Sequence, residues 1–409
     1  MQAHADLAPR RRFSALRNRP LMTLMLGHFT VDMYVGILPV LYPLLIQRFA
    51  LNLTTVGLVT LAYSGMASLT QPLFGWVADH FGTRFIGLTL SWTALTFATI
   101  GFAPSFPVLL LLAAAAGVGS GAYHPLGALT ANRVIPDGQR NTAMAVYSSG
   151  GTMGVALGPL AGIALFGLFG LRGTALMVLP GVGIAAWMLR EMRRSTAGSP
   201  RRPVSARSTQ RPVLLTPLLT TIGVVMSRTC TIYVIESFVP SWYKQLGYGP
   251  AFYGPLATTV VLASAAGTLG CGSLADHYGR RTVVLASLVL SVPALALFTT
   301  VTGPSAFISA ALVGLLAAST TPLMLVTAQQ LMAGRAGMAS GLILGLGFVA
   351  GAVGVPVTGA LGDAFGIENA LRLQVLLVIA TIGLAWRLPT EAQLSALIAI
   401  EDGQQPLAH

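Results

Sequence analysis

A chain of 409 residues that is 54% hydrophobic and 9% charged is far from an ordinary globular domain, in which about a quarter of the residues are charged. A mean hydropathy of +0.74 argues against a water-soluble enzyme or nucleic-acid reader, despite a formal net charge of +12, and leaves lipid as the solvent. In lipid each backbone N–H and C=O has to pair within a helix or a closed barrel. The apolar runs are too long and continuous for the alternating segments of about ten residues that barrels show, so the expected class is an all-α membrane protein.

Taken in chain order, the first twenty residues are polar and basic without a cleavage pattern, so the first apolar helix is expected to be retained. A window of about 19 residues then predicts twelve spans: 20–46, 53–79, 84–104, 107–132, 141–166, 171–190, 214–243, 251–275, 281–302, 304–330, 336–361 and 369–388. At 1.5 Å per residue each is long enough to cross about 30 Å of hydrocarbon. Between spans 6 and 7, Arg190–Arg211 is rich in Arg, Ser and Pro and reads as a flexible linker. The expected organisation is a tail at 1–19, a six-helix bundle at 20–190, a linker at 191–213, a second bundle at 214–388 and a tail at 389–409.

The charges test this map. Nineteen Lys and Arg fall on the side of the linker and both termini; Arg48, Arg172, Lys244 and Arg372 fall on the other, and Arg228 lies inside a span. By the positive-inside rule the termini and linker are cytoplasmic, so the basic charge is a topological signal and no nucleic-acid partner is expected. Cys230 and Cys271 lie in apolar segments without metal-ligand spacing; no metal and no cofactor are expected.

At an offset of 197 residues the chain repeats itself. Gly75-Trp-Val-Ala-Asp79-His-Phe-Gly82-Thr-Arg84 aligns with Gly272-Ser-Leu-Ala-Asp276-His-Tyr-Gly279-Arg-Arg281, and the same offset pairs Pro43 with Pro240, Pro107 with Pro304, Pro125 with Pro322, Pro159 with Pro356 and Gly162 with Gly359. Two parallel six-helix halves follow, the plan of transporters that bind their solute near the midplane.

The Gly-x-x-x-Asp-x-x-Gly-x-Arg segment between spans 2 and 3, repeated between 8 and 9, resembles the signature loop of the major facilitator superfamily over nearly the whole chain, roughly residues 20–390. Gly27-His28-Phe-x-x-Asp32, Gln71-Pro72 and His124-Pro125 resemble the fosmidomycin-resistance exporters within it. The resemblance implies two pseudo-symmetric bundles in the inner (plasma) membrane. It also implies a gate in which Asp79 meets the start of span 11 near Arg335 and holds the cytoplasmic side shut. Gly75 and Gly272 suit close helix approach, Gly82 and Gly279 a tight turn, and Asp79 and Asp276 lie near Arg84, Arg280 and Arg281. The plainer reading is a turn with solvated charges.

Gly154-x-x-x-Gly158-Pro159-x-x-Gly162 on span 5 allows close packing and a bend. It resembles part of the antiporter motif of proton-coupled drug exporters, departing at Ala161, and Ala113 on span 4 stands where many of them carry arginine.

Asp32, Arg228 and Glu236 are the acidic or basic residues well within spans, where a charge costs at least about 2.5–3.5 kcal/mol. His28 lies one turn from Asp32 on the same face of span 1, and His124 lies on span 4. The repeat sets Arg228 at nearly the depth of Asp32, and in the superfamily fold helices 1, 4, 7 and 10 line the cavity, so an Asp32–Arg228 pair is geometrically plausible. Glu236 is eight residues beyond Arg228, about 12 Å along the helix. Against a proton- or substrate-binding role for these five stand a static ion pair for Asp32 and Arg228, a packed His-Pro kink for His124 and an outer vestibule position for Glu236.

The expected function is a secondary active transporter, a proton-coupled exporter of a small drug-like or phosphonate-type molecule, acting as a monomer in the bilayer. The absence of Gly-x-x-x-x-Gly-Lys-Ser/Thr argues against primary transport. The alternatives are a proton symporter importing a small organic acid or sugar and, in other classes, a non-transporting membrane receptor or an intramembrane enzyme.

Overall fold

The computed structural model describes residues 17–131, 134, 140–194, 214–317, 321–332 and 336–401. The first six spans are Arg19–Phe49; Leu53–Thr60 continued by a π turn at Leu61–Gly65 into Met66–Phe81; Ile86–Thr99 with a 3₁₀ turn at Ile100–Phe102; Phe106–Ala131; Arg140–Phe169; and a 3₁₀ stretch Gly170–Met177 running into Val178–Arg194. The second six are Leu215–Gln245, Pro250–Tyr278, Arg280–Phe298, Ala306–Ala317 with Thr321–Leu331, Ala336–Phe365 and Ile367–Ala385. Nine helical stretches among the described residues are long and apolar enough to cross a membrane, and one of them, Val146–Arg194, contains span 6 and most of span 5.

Leu69, Leu88, Leu111, Leu168, Leu179, Ile308 and Leu376 are all exposed. In water such faces would drive aggregation; against lipid they cost nothing, and the helices satisfy their own backbones. Proline inside spans 1, 2, 4, 5, 7, 8, 9 and 11 is tolerated because neighbouring helices and local 3₁₀ or π adjustments re-satisfy the freed carbonyls.

Packing divides the chain into two units, Met1–Leu44 with Ala62–Pro203, and Leu45–Leu61 with Val204–His409. Within each unit the same neighbours meet: span 2 packs on 4, 3 on 4 and 3 on 6 in the first, and 8 on 10, 9 on 10 and 9 on 12 in the second. Gly117 lies where a Cβ would run into the Tyr63 carbonyl, and Gly314, its counterpart at the repeat offset, where one would run into the Val260 carbonyl. The repeat in sequence is thus a repeat of helix crossings, each requiring a residue with no side chain.

Leu45–Leu61 packs with the second unit. The Asp363 carboxylate accepts the backbone N–H groups of Leu53 and Thr54 at 2.7 and 2.8 Å and the Thr54 hydroxyl, satisfying donors at a helix start as an N-cap does. A Cβ at Gly57 would lie 2.9 Å from Pro356 Cα, so the backbones there are in close contact.

The expected C-terminal tail begins with a further helix, Glu391–Glu401. Arg280 forms an ion pair with Glu391 and donates from Nε at 2.7 Å, while Arg281 donates to the Trp386 carbonyl at 2.6 Å. The hydrogen bond from the Arg280 side chain holds the Glu391 carboxyl below its usual pKa. A lowered pKa makes the contact complete at neutral pH and lost as pH falls through the lowered value. Because Glu391 is half exposed, it contributes no more than about 1 kcal/mol. Relative to the intrinsic exchange rate at each pH, the protection of amides in Glu391–Glu401 is expected to fall severalfold on acidification, and Glu391→Gln to remove most of that loss; identical protection profiles would show that the pair does not dock the helix.

Candidate functional site

Span 5 seats itself on span 1 through its small residues. A Cβ at Gly154 would strike the Phe29 carbonyl, one at Gly158 would lie 2.6 Å from the Gly36 carbonyl carbon, and one at Gly162 would lie 2.6 Å from Val40 Cγ2. The packing expected of Gly154, Gly158 and Gly162 has an identified partner, the facing stripe of span 1, with Pro159 inside the same helix.

This crossing builds a cluster of titratable groups. His28 and Asp32 project from one face of span 1, with His28 Nε2 3.1 Å from Asp32 Oδ2. From span 4, His124 brings Nε2 to 3.5 Å from Asp32 Oδ1 and to 3.5 Å from Ser120 Oγ. From span 5, the Tyr147 carbonyl lies 2.9 Å from His28 Nδ1, and the Tyr147 ring stacks on His28 at 4.2 Å and 22°. Gly151 closes that side: a Cβ there would sit 2.5 Å from Asp32 Oδ2 and 2.6 Å from His28 Nε2. Tyr123, fully buried, donates to the Leu24 carbonyl at 2.8 Å, tying span 4 to span 1 beside the cluster. The side chains of His28, Asp32 and His124 are 12%, 16% and 28% exposed, so the group is sheltered without being sealed.

The hydrogen bonds constrain the proton count. A carbonyl only accepts, so His28 Nδ1 carries the hydrogen that goes to Tyr147. The contact between His28 Nε2 and Asp32 Oδ2 then needs a second hydrogen, on either the imidazole or the carboxyl. A neutral imidazole facing an ionised carboxylate would set lone pair against lone pair. This geometry suits a proton shared between His28 and Asp32, with His124 within reach as another acceptor. Imidazole is the side chain whose unperturbed titration lies nearest physiological pH. The ligand atoms of the three residues converge within 4.8 Å, and at 3.1 Å the inner pair is at hydrogen-bond distance.

In the second unit Arg228 is buried, 4% exposed, on span 7. It donates to Ser291 Oγ at 3.2 Å and to the Leu316 carbonyl, while its Nε finds no partner among the described residues. Glu236, half-buried, lies on the same helix. Asp32 and Arg228 each have partners inside their own unit.

The two copies of the signature loop share a turn. Gly82 and Gly279 have φ of 78° and 81°, where glycine avoids the strain of a Cβ, and their N–H groups close on the Ala78 and Ala275 carbonyls at 3.0 and 2.9 Å. Close approach is not what requires Gly75, since a Cβ there would meet only Pro125 Cβ at 4.0 Å. Gly272 lies within the span 8 helix. Arg84 and Asp276 are exposed at the loops. Arg280 and Arg281, expected beside Asp276, turn instead to Glu391 and Trp386. The Asp79 side chain and Arg335 lie outside the described residues. Tyr147, Gly151 and Ser120 escaped the sequence reading because hydroxyls and glycines cost little in a helix interior; the spacing of Gly151 from Gly154 and Gly158 was the available signal.

Comparison with known proteins places this architecture. A family model described as Major Facilitator Superfamily matches residues 24–257 and 218–409. The chain is 30% identical over 388 residues to the "Uncharacterized MFS-type transporter YfnC" of Bacillus subtilis, covering 90% of this chain and 92% of that one. It is 27% identical over 360 residues to the fosmidomycin resistance protein of Escherichia coli, covering 85% and 87%. A solved bacterial homolog of the human lysosomal transporter Spinster, inward-facing and occupied, superposes with a TM-score of 0.79 at 17% identity over 90% of this chain and 96% of that one. With twelve helical spans and repeated halves, this multi-pass membrane protein belongs to the Major Facilitator Superfamily, a family of transporters and not of enzymes.

Proposed function

We propose that the chain is a proton-coupled exporter, an antiporter that moves a small drug-like or phosphonate-type molecule out of the cell by alternating access. It works as a monomer in the inner membrane, with termini and linker cytoplasmic. The observation that carries the reading is the sheltered His28–Asp32–His124 cluster, which brings two imidazoles onto one carboxylate and is assembled by groups on spans 1, 4 and 5. An ionisable group within a membrane is costly and marks an ion or substrate path. Among the described residues, the titratable groups around Asp32 are His28 from its own helix, His124 and Tyr123 from span 4, and Tyr147 from span 5. On this reading the cluster holds its proton while the carrier is free of solute and yields it as solute binds. The loop at Gly75, Asp79, Gly82 and Arg84 gates the cytoplasmic side with Arg335, and the loop at Gly272, Asp276, Gly279 and Arg281 is its counterpart. Export is favoured by the likeness to the fosmidomycin resistance protein and, at 22% identity over 88% of the chain, to the multidrug efflux pump Tap of Mycolicibacterium fortuitum.

The test is solute movement in proteoliposomes under imposed pH gradients, with fosmidomycin among a radiolabelled panel. Accumulation of a panel member driven by protons moving the opposite way is expected. Accumulation only when protons and solute move together would make the chain a symporter and overturn the export reading.

A further inference from the structure

Outside the histidine cluster, the most unusual chemistry is the guanidinium of Arg228. It sits within span 7 at 4% exposure, where a lone charge is expensive. Buried cations in proteins are almost always met by a carboxylate, yet the partners of this one are neutral: the Ser291 hydroxyl and the Leu316 carbonyl. Ser291 already donates its own hydrogen to the Ser287 carbonyl at 2.6 Å, so it serves Arg228 purely as an acceptor. A guanidinium carries five N–H donors in a flat fork, of which these contacts use two, and Nε is buried with no acceptor among the described residues. Glu236, on the same helix, is eight residues further on, about 12 Å along the axis.

Arg228 also borders a cavity. Arg228, Thr231 and Ser291 line a small cavity whose remaining walls include the apolar Ile235, Leu295 and Val378. It holds about 10 Å³, the room of one water-sized atom, which is also the size of one oxygen of a carboxylate or phosphonate. Thr231 and Ser291 both spend their hydrogens on helix carbonyls, those of Ser227 and Ser287, so the positive charge facing this cavity is supplied by Arg228. Apolar walls strengthen a charge-assisted hydrogen bond by lowering the local dielectric, and a planar guanidinium is the side chain best matched to a planar or forked oxyanion.

We infer that Arg228 is the receptor for the anionic group of the transported molecule, a carboxylate or phosphonate held by the guanidinium within the second unit. Solute binding then supplies the counter-charge that the protein withholds, so the arginine is compensated when the carrier is loaded. The inference rests on the reading of the chain as a carrier of a small solute, and is independent of whether or how protons are coupled.

Binding to the purified full-length protein at a fixed pH, with no gradient, tests it by calorimetry and thermal shift. The probes are propylphosphonate, its dimethyl ester and butyrate, an anionic pair against an uncharged analogue. One or both anions are expected to bind saturably and raise the melting temperature, and the ester to do neither. Arg228→Met is expected to weaken the anion by at least about tenfold, the loss of a charge-assisted hydrogen bond, and Arg228→Lys to retain part of the affinity while losing the fork. Arg228→Met leaves no charge to bury, so a folded variant is expected, and its elution profile and melting curve establish that. Absence of saturable anion binding to the wild type, equal binding of ester and anion, or a folded Arg228→Met that binds within twofold of the wild type would each overturn the assignment. An intact pH-driven flux beside any of these results would leave the antiporter reading standing while this one fell.

Discussion

Asp32→Asn is expected to abolish accumulation of solute against its gradient while leaving a folded protein that still binds it. The amide keeps the volume of the carboxyl but not its charge. Its nitrogen donates where Oδ1 or Oδ2 accepted, so at 3.1 and 3.5 Å from the two imidazoles it satisfies one of them without an added proton. The cluster then has no reason to take up a proton at one face of the membrane and release it at the other. One proton exchanged for one solute across one pH unit makes available about 1.4 kcal/mol, a tenfold concentration ratio with the electrical potential clamped. Wild-type vesicles should approach that ratio under such a clamp, whereas Asp32→Asn vesicles should settle at equal concentrations inside and out. His28→Gln should show an intermediate defect, because its amide still reaches Asp32 but titrates nothing. A ratio for Asp32→Asn close to the wild-type value would move coupling elsewhere, with Glu236 and His124 next to be examined.

Gly158→Leu is expected to have the largest effect on folding. A Cβ at that position would lie 2.6, 2.8 and 2.9 Å from Gly36 C, Gly36 Cα and Ile37 N. These are backbone atoms that cannot swing aside as a flexible side chain can. Accommodating a leucine means moving span 5 off span 1, which also withdraws the Tyr147 carbonyl from His28 and Gly151 from Asp32. Overpacking of a tight interior costs about 1–3 kcal/mol, occasionally more, and at a backbone contact the upper end applies. Gly167 lies on the same helix, and a Cβ added there would meet nothing within 4 Å, so Gly167→Leu serves as the internal control. The first substitution should lower the melting temperature of the purified protein by several degrees or prevent its recovery, and the second should change little. Equal effects would mean that the two helices do not rely on this crossing.

The membrane spans were legible because hydropathy and the positive-inside rule both act on composition, which survives without coordinates. The duplication was legible for a related reason: the turn at Gly82 and Gly279 demands a residue without Cβ in both halves. His28, Asp32 and His124 stood out individually through the cost of polar groups in lipid. The pairing of His28 with Asp32 followed from their spacing, but the approach of His124 and Tyr147 was not legible, since it depends on how span 4 is rotated and on the glycine stripe that brings span 5 onto span 1. Arg228 was visible as a buried charge, yet its neutral partners on spans 9 and 10 belong to tertiary packing. Arg280 illustrates the opposite error. Proximity in sequence suggested Asp276, whereas the fold gives it Glu391 more than a hundred residues on. The π turn at Leu61–Gly65 and the capping of Leu53 and Thr54 by Asp363 likewise arise from packing partners that no local pattern announces.

Proton counterflow measured alongside solute flow is the most direct test of the cluster's role. Vesicles holding the wild-type protein, a pH dye and a high internal concentration of a transported panel compound are diluted into compound-free buffer of the same pH, with the membrane potential clamped. Outward solute flow should acidify the interior in proportion to the solute lost, and Asp32→Asn vesicles should show no such acidification. An interior that turns alkaline as solute leaves, or an Asp32→Asn protein that acidifies it as the wild type does, would contradict proton exchange at the His28–Asp32–His124 cluster.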